Sequence, residues 1–177
     1  MIRHTINHAA FGKDGMQYFD LKWDEVIDKQ SVQPNAIDVR ANSLSRFKKW
    51  KWGVVSETIK TQHIDTIPES PVKELFGSNE LFGWWLAPGE CYSFSSKVWI
   101  EVPDNMVGWL ISRSSLNRNG VFIQSGLYDS GFKGYIAGTM YAFNEMFIES
   151  DTRVAQFIMA DAEMLHKYDG QYQAGKQ

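Results

Sequence analysis

Lys97-Val98-Trp99-Ile100-Glu101-Val102-Pro103-Asp104-Asn105-Met106-Val107-Gly108-Trp109-Leu110-Ile111 is the stretch that decides the fold class. Val98, Ile100 and Val102 alternate with Lys97, Trp99 and Glu101, the period of two that belongs to a β-strand. Pro103-Asp104-Asn105 supplies turn chemistry, and Val107, Trp109 and Ile111 form the next alternation. The same rhythm extends on both sides. Leu86-Ala87-Pro88-Gly89-Glu90 reads as the preceding turn. Downstream, Asn117 to Gly120 turns into Val121-Phe122-Ile123, Asp129 to Gly134 turns into Tyr135 to Phe143, and Arg153 to Met159 makes a last strand. Short strands punctuated by Gly, Pro and Asn predict an all-β barrel or sandwich, not a parallel α/β sheet.

Away from this core the pattern is less regular. Leu21 to Lys29 (LKWDEVIDK) suits a short helix, stopped at Gln33-Pro34 because a residue before proline avoids helical backbone. Arg46-Phe47-Lys48-Lys49-Trp50-Lys51-Trp52 is a basic aromatic cluster. It reads either as a phosphate or nucleic-acid patch or as a strand pair with a solvated basic face, and the second reading is preferred. Residues 61–80, with Pro68, Pro71 and Gly77, read as a long excursion. No repeat or long linker divides the chain. Residues 1–177 are therefore expected to form one domain, with an N-terminal extension over 1–30, a variable excursion over 45–80 and a C-terminal tail over 165–177.

Composition narrows the function classes. A chain of 177 residues with 44% hydrophobic and 22% charged residues can bury a core and is not a disordered tail. No apolar run is long enough for a bilayer-spanning helix, and MIRHTINHAAFGKDG lacks the apolar centre of a secretory leader, so a cytoplasmic protein without membrane contact is expected. The single Cys91 can form neither an intrachain disulfide nor a cysteine zinc site, in keeping with a reducing compartment. A net charge of −3 gives no support for a general nucleic-acid surface.

Several chemistries lack their residues. Zinc-dependent deamination needs His and Cys ligands beside a Glu, and the cysteines are missing. His4 and His8 share the i, i+4 spacing of one helix face, but neither an adjacent Glu nor a third ligand accompanies them; His63 and His166 stand alone. G-x-S-x-G, G-x-G-x-x-G and the P-loop are absent. What remains is Ile111-Ser112-Arg113-Ser114-Ser115-Leu116-Asn117-Arg118-Asn119-Gly120. Two guanidiniums, three hydroxyls and turn amides at a strand end can hold a multiply charged anion, because arginine's planar fork matches phosphate. Asp129 follows inside Gly126-Leu127-Tyr128-Asp129-Ser130-Gly131-Phe132-Lys133-Gly134. A glycine-rich hairpin allows close backbone approach to a flat ligand, and an aspartate there can orient a water. Taken alone, Arg-Ser-Ser in a turn is also compatible with a purely structural role.

The sequence resembles the dCTP deaminase/dUTPase family. Gln33-Pro34-Asn35-Ala36-Ile37-Asp38-Val39-Arg40 is similar to its Q-P-x-S-x-D-L-R entry, and Leu86 to Glu90 to its L-x-P-G-E turn. Arg113 to Gly120 resembles R-S-S-L-x-R-x-G, and Gly126 to Gly134 resembles G-x-I-D-x-G-F-x-G. Arg153-Val154-Ala155-Gln156 resembles R-I-A-Q or K-I-G-Q, and Lys167-Tyr168-Asp169-Gly170-Gln171 resembles the K-Y-x-G-Q tail of the deaminase branch. The resemblance runs over roughly residues 20–177, with six motifs in order. It implies a distorted jelly-roll subunit with short helices and a homotrimer with sites between subunits. It implies a deoxypyrimidine nucleoside triphosphate as ligand, accompanied by magnesium. It assigns phosphate or nucleotide contacts to Arg113, Ser114, Ser115, Arg118 and Gln156, base and sugar contacts to Gly126, Tyr128 and Phe132, and closure over the nucleotide to Tyr168 and Gln171. It makes Asp129 the catalytic carboxylate and gives Asp38 a role toward magnesium through water, or a supporting one.

Two departures bear on the activity. Deaminases of the family carry a glutamate in a pattern like G-x-I-T-L-E, and this chain reads Gly134-Tyr135-Ile136-Ala137-Gly138-Thr139, with Thr139 in its place. A carboxylate can take a proton from water and return it to a leaving amine; a threonine hydroxyl cannot cycle that way near neutrality. The segment from Arg113 to Asp129 is also about two residues shorter than in deaminases, at the stretch they place near the base. The expected activity is therefore hydrolysis of dUTP to dUMP and pyrophosphate with magnesium. The alternatives are a dCTP deaminase, with Glu145 or Glu149 replacing the lost glutamate and dUMP as a possible product, and a non-catalytic nucleotide-binding regulatory trimer.

Overall fold

The computed structural model describes residues 29–47, 64–72, 81–170 and 172–173. His4, His8, His63, Gln171 and nearly all of the Leu21–Lys29 helix expectation lie outside them, as do Lys48 to Trp52 of the basic cluster.

Among the described residues the regular secondary structure is almost entirely strand. A 3-10 turn, Lys29–Ser31, leads into β1 (Val32–Gln33), β2 (Ala36–Arg40), β3 (Ser43–Phe47), β4 (Ile64–Ile67), β5 (Ser70–Val72) and β6 (Leu81–Leu86). There follow β7 (Glu90–Glu101), β8 (Met106–Ser112), a single helical turn α1 (Ser114–Arg118), β9 (Val121–Gln124), β10 (Lys133–Ala142), β11 (Met146–Glu149) and β12 (Arg153–Asp161). Nine strands form one sheet in the order β1-β2-β12-β8-β9-β10-β7-β3-β4, and three form a second, β11-β6-β5. Every pairing is antiparallel. The all-β expectation holds, and the turns fall where the sequence places them: Gly89 has φ +72 after Pro88, and Gly120 has φ +76 before β9.

Both sheets feed one core. Leu44, Tyr92, Phe94, Ile136, Met140, Val154 and Phe157 come from the large sheet, Trp84, Leu86 and Ile148 from the small one. Burying such side chains, at about 1.5–3 kcal/mol each, is the main stabilising term. β7 obeys its sequence pattern, with Val98 and Ile100 buried while Lys97 is exposed. β8 does so in the other phase. Met106, Gly108 and Leu110 face the core, whereas Val107, Trp109 and Ile111 face outward. The reason is Phe157 on β12: a Cβ added at Gly108 would stand 2.4 Å from its ring, so the ring fills the space a side chain would occupy. Gly134 similarly lies under the Phe132 ring, where a Cβ would meet a ring carbon at 2.8 Å.

Candidate functional site

The candidate residues fall into two groups at opposite ends of β8. At the Ser112 end, Arg113 is the N-cap residue of α1, in extended backbone at φ −63 and ψ 146. Ser114, Ser115 and Arg118 stand exposed on the turn that follows. β12 and β2 pair beside it, with Gln156 opposite Asp38 and Arg153 opposite Arg40. Asp38 is enclosed, its side chain 0% exposed, with Arg113 Nε at 3.2 Å and Arg153 Nη1 at 3.3 Å from its Oδ2. Gln156 Nε2 donates to Asp38 Oδ1 at 3.1 Å, and Arg113 Nη1 donates to the Arg153 carbonyl at 3.2 Å. Arg153 was not among the residues the sequence singled out individually; it was legible only as the first letter of a four-residue motif.

At the Met106 end, the hairpin carries Asp129. Tyr128 and Gly108 exchange both backbone hydrogen bonds, at 2.7 and 2.9 Å, and Ser130 Oγ donates to the Met106 carbonyl at 2.7 Å. Tyr128 is committed inward: its hydroxyl donates to the Ala137 carbonyl and accepts from the Ala137 amide, and its ring packs edge-on against Phe132 and Phe157. Burial pushes its phenol above the ordinary value, with the Ala137 hydrogen bond opposing more weakly. Asp129 is partly exposed, and among the described residues its carboxylate has no hydrogen-bond or ion-pair partner. Gly126 is exposed, with open space where a Cβ would be.

The tail lies across this hairpin. Tyr168 N–H donates to Ser130 O at 2.9 Å, and the Tyr168 ring meets Phe132 at 5.6 Å. Gln173 holds the hairpin backbone at two points, accepting from Lys133 N–H and donating to Gly131 O, each at 3.0 Å. Gln173 was not among the sequence candidates, because an isolated Gln near a terminus carries no pattern.

One subunit does not bring Asp129 to Arg113. Asp129 follows the Tyr128–Gly108 pair, and the length of β8 separates it from the clamp, on the order of 20 Å at roughly 3.3 Å per residue. Thr139 lies on the outward face of β10, opposite Ser93 of β7 and Gln124 of β9. It lines a cavity of about 790 Å³ with Trp109, Ile111, Phe122, Gln124 and Leu127. Successive register pairs, Thr139–Gln124, Gln124–Ile111, Ile111–Gln156 and Gln156–Asp38, run straight across five strands to the clamp. Glu149 sits on β11 in the small sheet and Glu145 in the turn before it, so neither belongs to the strand that carries Thr139. No group of three His, Cys, Asp or Glu side chains that could hold a metal occurs among the described residues. No helix among them is long and apolar enough to cross a membrane.

Fold and site together define an antiparallel all-β subunit with a two-arginine clamp at one end of a central strand and an aspartate hairpin at the other. The chain belongs to the dCTP deaminase-like family, whose model matches residues 14–162. It is 28% identical over 149 residues to a protein of Halobacterium salinarum named "Probable deoxyuridine 5'-triphosphate nucleotidohydrolase", covering 84% of this chain and 87% of that one. It is 25% identical over 169 residues to a dCTP deaminase of Sulfurisphaera tokodaii, covering 93% and 86%. Its fold is similar to the crystal structure of 2'-deoxycytidine 5'-triphosphate deaminase from Agrobacterium tumefaciens, with a TM-score of 0.59 at 16% identity. That match covers 91% of this chain but 48% of the other, so this chain spans about half of that protein's length.

Proposed function

We propose that the protein hydrolyses a deoxypyrimidine nucleoside triphosphate, dUTP first among them, to the monophosphate and pyrophosphate. We place the reaction in sites shared between the copies of a cytoplasmic homotrimer. The observation that carries this is the contrast between two positions. Asp129 keeps a partly exposed carboxylate without a protein partner, while Thr139 occupies the position at which the deaminase pattern calls for glutamate. A family with both activities among its named relatives supports either chemistry, and these two residues favour hydrolysis of the triphosphate.

The steps need only the groups present. Asp129 accepts a proton from water as the water oxygen attacks the α-phosphorus. The bond from that phosphorus to the α–β bridging oxygen breaks, and pyrophosphate leaves with the electron pair. Arg113, Gln156 and the α1 hydroxyls of Ser114 and Ser115 receive the phosphates, with Arg118 beside them. Magnesium enters as part of the substrate, on the triphosphate, which suits an ion that commonly binds through phosphates with few protein ligands. When bound, it neutralises phosphate charge.

The distance between the two groups supports the assembly. With Asp129 about 20 Å from Arg113 along β8, a complete site needs the hairpin of one copy against the clamp of another. The test is product analysis by anion exchange, with a panel of deoxynucleoside triphosphates and magnesium. Monophosphate and pyrophosphate without ammonia support the proposal; ammonia from dCTP, or no turnover of any triphosphate, overturns it.

A further inference from the structure

We infer that Asp38 and Arg153 form a brace whose work is to aim Arg113 and Gln156 at the phosphates, and that Asp38 does not act through the metal. This rests on the nucleotide reading above and deepens it. Asp38 is closed off from solvent: Oδ1 accepts from Gln156, and Oδ2 stands within ion-pair distance of both guanidiniums without accepting a hydrogen bond from either. Magnesium keeps several of its waters and needs an open carboxylate edge to share them with. Asp38 presents none.

The brace fixes both of its clients. Arg113 is held at Nε by the carboxylate and at Nη1 by the Arg153 carbonyl, which leaves Nη2 as its unpartnered end. Gln156 is held by Nε2, so its Oε1 is the free end of the carboxamide. Arg153 is itself anchored, donating from Nη1 to the Gln30 carbonyl at 2.6 Å. One carboxylate between two guanidiniums leaves a net positive charge beside the anion, and both arginine side chains are 26% exposed.

Strand geometry explains how one carboxylate gathers all three. Residues three apart on a regular strand point to opposite faces. Between Arg153 and Ala155 the β12–β2 register shifts, an irregularity of the kind that re-aims a side chain. Across it, Arg153 and Gln156 both reach Asp38.

The experiment compares the full-length protein with Asp38→Asn, Arg153→Gln and Arg153→Lys. The readouts are calorimetric binding of inorganic tripolyphosphate with and without magnesium, and kcat, KM and the magnesium half-saturation of dUTP hydrolysis. Asp38→Asn and Arg153→Gln are expected to weaken metal-free tripolyphosphate binding by roughly tenfold or more, the scale of a lost charge-assisted hydrogen bond. KM should rise in parallel while magnesium half-saturation stays unchanged, and Arg153→Lys should recover part of the loss. Arg153 is part-exposed, so its variants carry the test even where Asp38→Asn does not fold. An Asp38→Asn protein with unchanged metal-free binding but a raised magnesium requirement overturns the inference and makes Asp38 a group that acts on the metal. Arg153→Gln with wild-type binding and KM also overturns it. A wild-type protein that binds neither tripolyphosphate nor any deoxynucleoside triphosphate brings down the nucleotide reading itself, a result distinct from failure of the brace alone.

Discussion

Asp129 and Thr139 are ten positions apart in the sequence, and each makes a separate claim about chemistry. Asp129→Asn keeps the shape of the side chain and removes its basicity. Pyrophosphate release should fall by at least about a hundredfold, the lower end of what a general base supplies, with nucleotide affinity within a few-fold of wild type. Parallel kinetics and calorimetry on one preparation check this, and retention of turnover would remove Asp129 from its role. Thr139→Glu tests the other position. Thr139 is exposed on the outer face of β10, so within a single copy the change should move stability by no more than about 0.5 kcal/mol. Ammonia release from dCTP should stay at background if, as the resemblance implies, the shortened Arg113–Asp129 segment alters the base site. Both positions were legible in the sequence because each is a fixed letter in a motif. Arg153 and Asp38 were legible as letters only. Their shared ion pair depends on a register shift in β12, and no spacing rule reports such a shift. Tyr128 shows the converse: its place in the hairpin motif marks it for the ligand, while its hydroxyl and backbone are both spent inside the subunit.

Strands whose two faces differ could be read from the sequence, and those with similar faces could not. β7 alternates cleanly and was found. In β2, Ala36 to Val39 are all buried, so no alternation exists to detect, and Leu-Phe-Gly-Trp-Trp-Leu in β6 has no period either. β8 was found as an alternation, but its buried face could not be read: Trp109 and Ile111 outweigh Gly108 on any hydrophobic scale, while the core side of the strand is completed by Phe157 from β12. Gly108→Ala should therefore destabilise by about 1–3 kcal/mol, the range for overpacking a core, and lower Tm accordingly in calorimetry. Tyr128 gives the hairpin its own signature. Tyr128→Phe keeps the ring contacts and loses both Ala137 hydrogen bonds, a cost of about 1–3 kcal/mol at neutral pH. The wild-type phenol is raised on folding, so the neutral form is the one the fold prefers. Its contribution is fully present below the ordinary tyrosine value and is lost as pH rises through the folded one. Urea unfolding at neutral and strongly alkaline pH should show the gap between wild type and Tyr128→Phe narrowing at the alkaline end.

At the scale of the whole molecule, the outward face needs an account that one subunit does not provide. Ile111, Phe122 and Leu127 stand 38%, 48% and 58% exposed around the cavity that Thr139 also lines. Exposed apolar groups gathered in this way are characteristic of a contact surface. The proposed assembly, if it buries this face while bringing a second copy's clamp to the hairpin, answers both the exposed surface and the divided site. It has a consequence that subunits acting alone would not share. Arg113→Ala protein and Asp129→Asn protein should each be inactive. Unfolded together and refolded as a mixture, they should regain activity, since some interfaces then pair an intact Arg113 with an intact Asp129. For random assembly roughly one site in four is whole, so recovered turnover should approach a quarter of the wild-type value. The separate proteins, mixed without refolding, control for slow exchange. A refolded mixture as inactive as its components would mean that clamp and hairpin do not meet across an interface, and the site would have to be sought within a single copy.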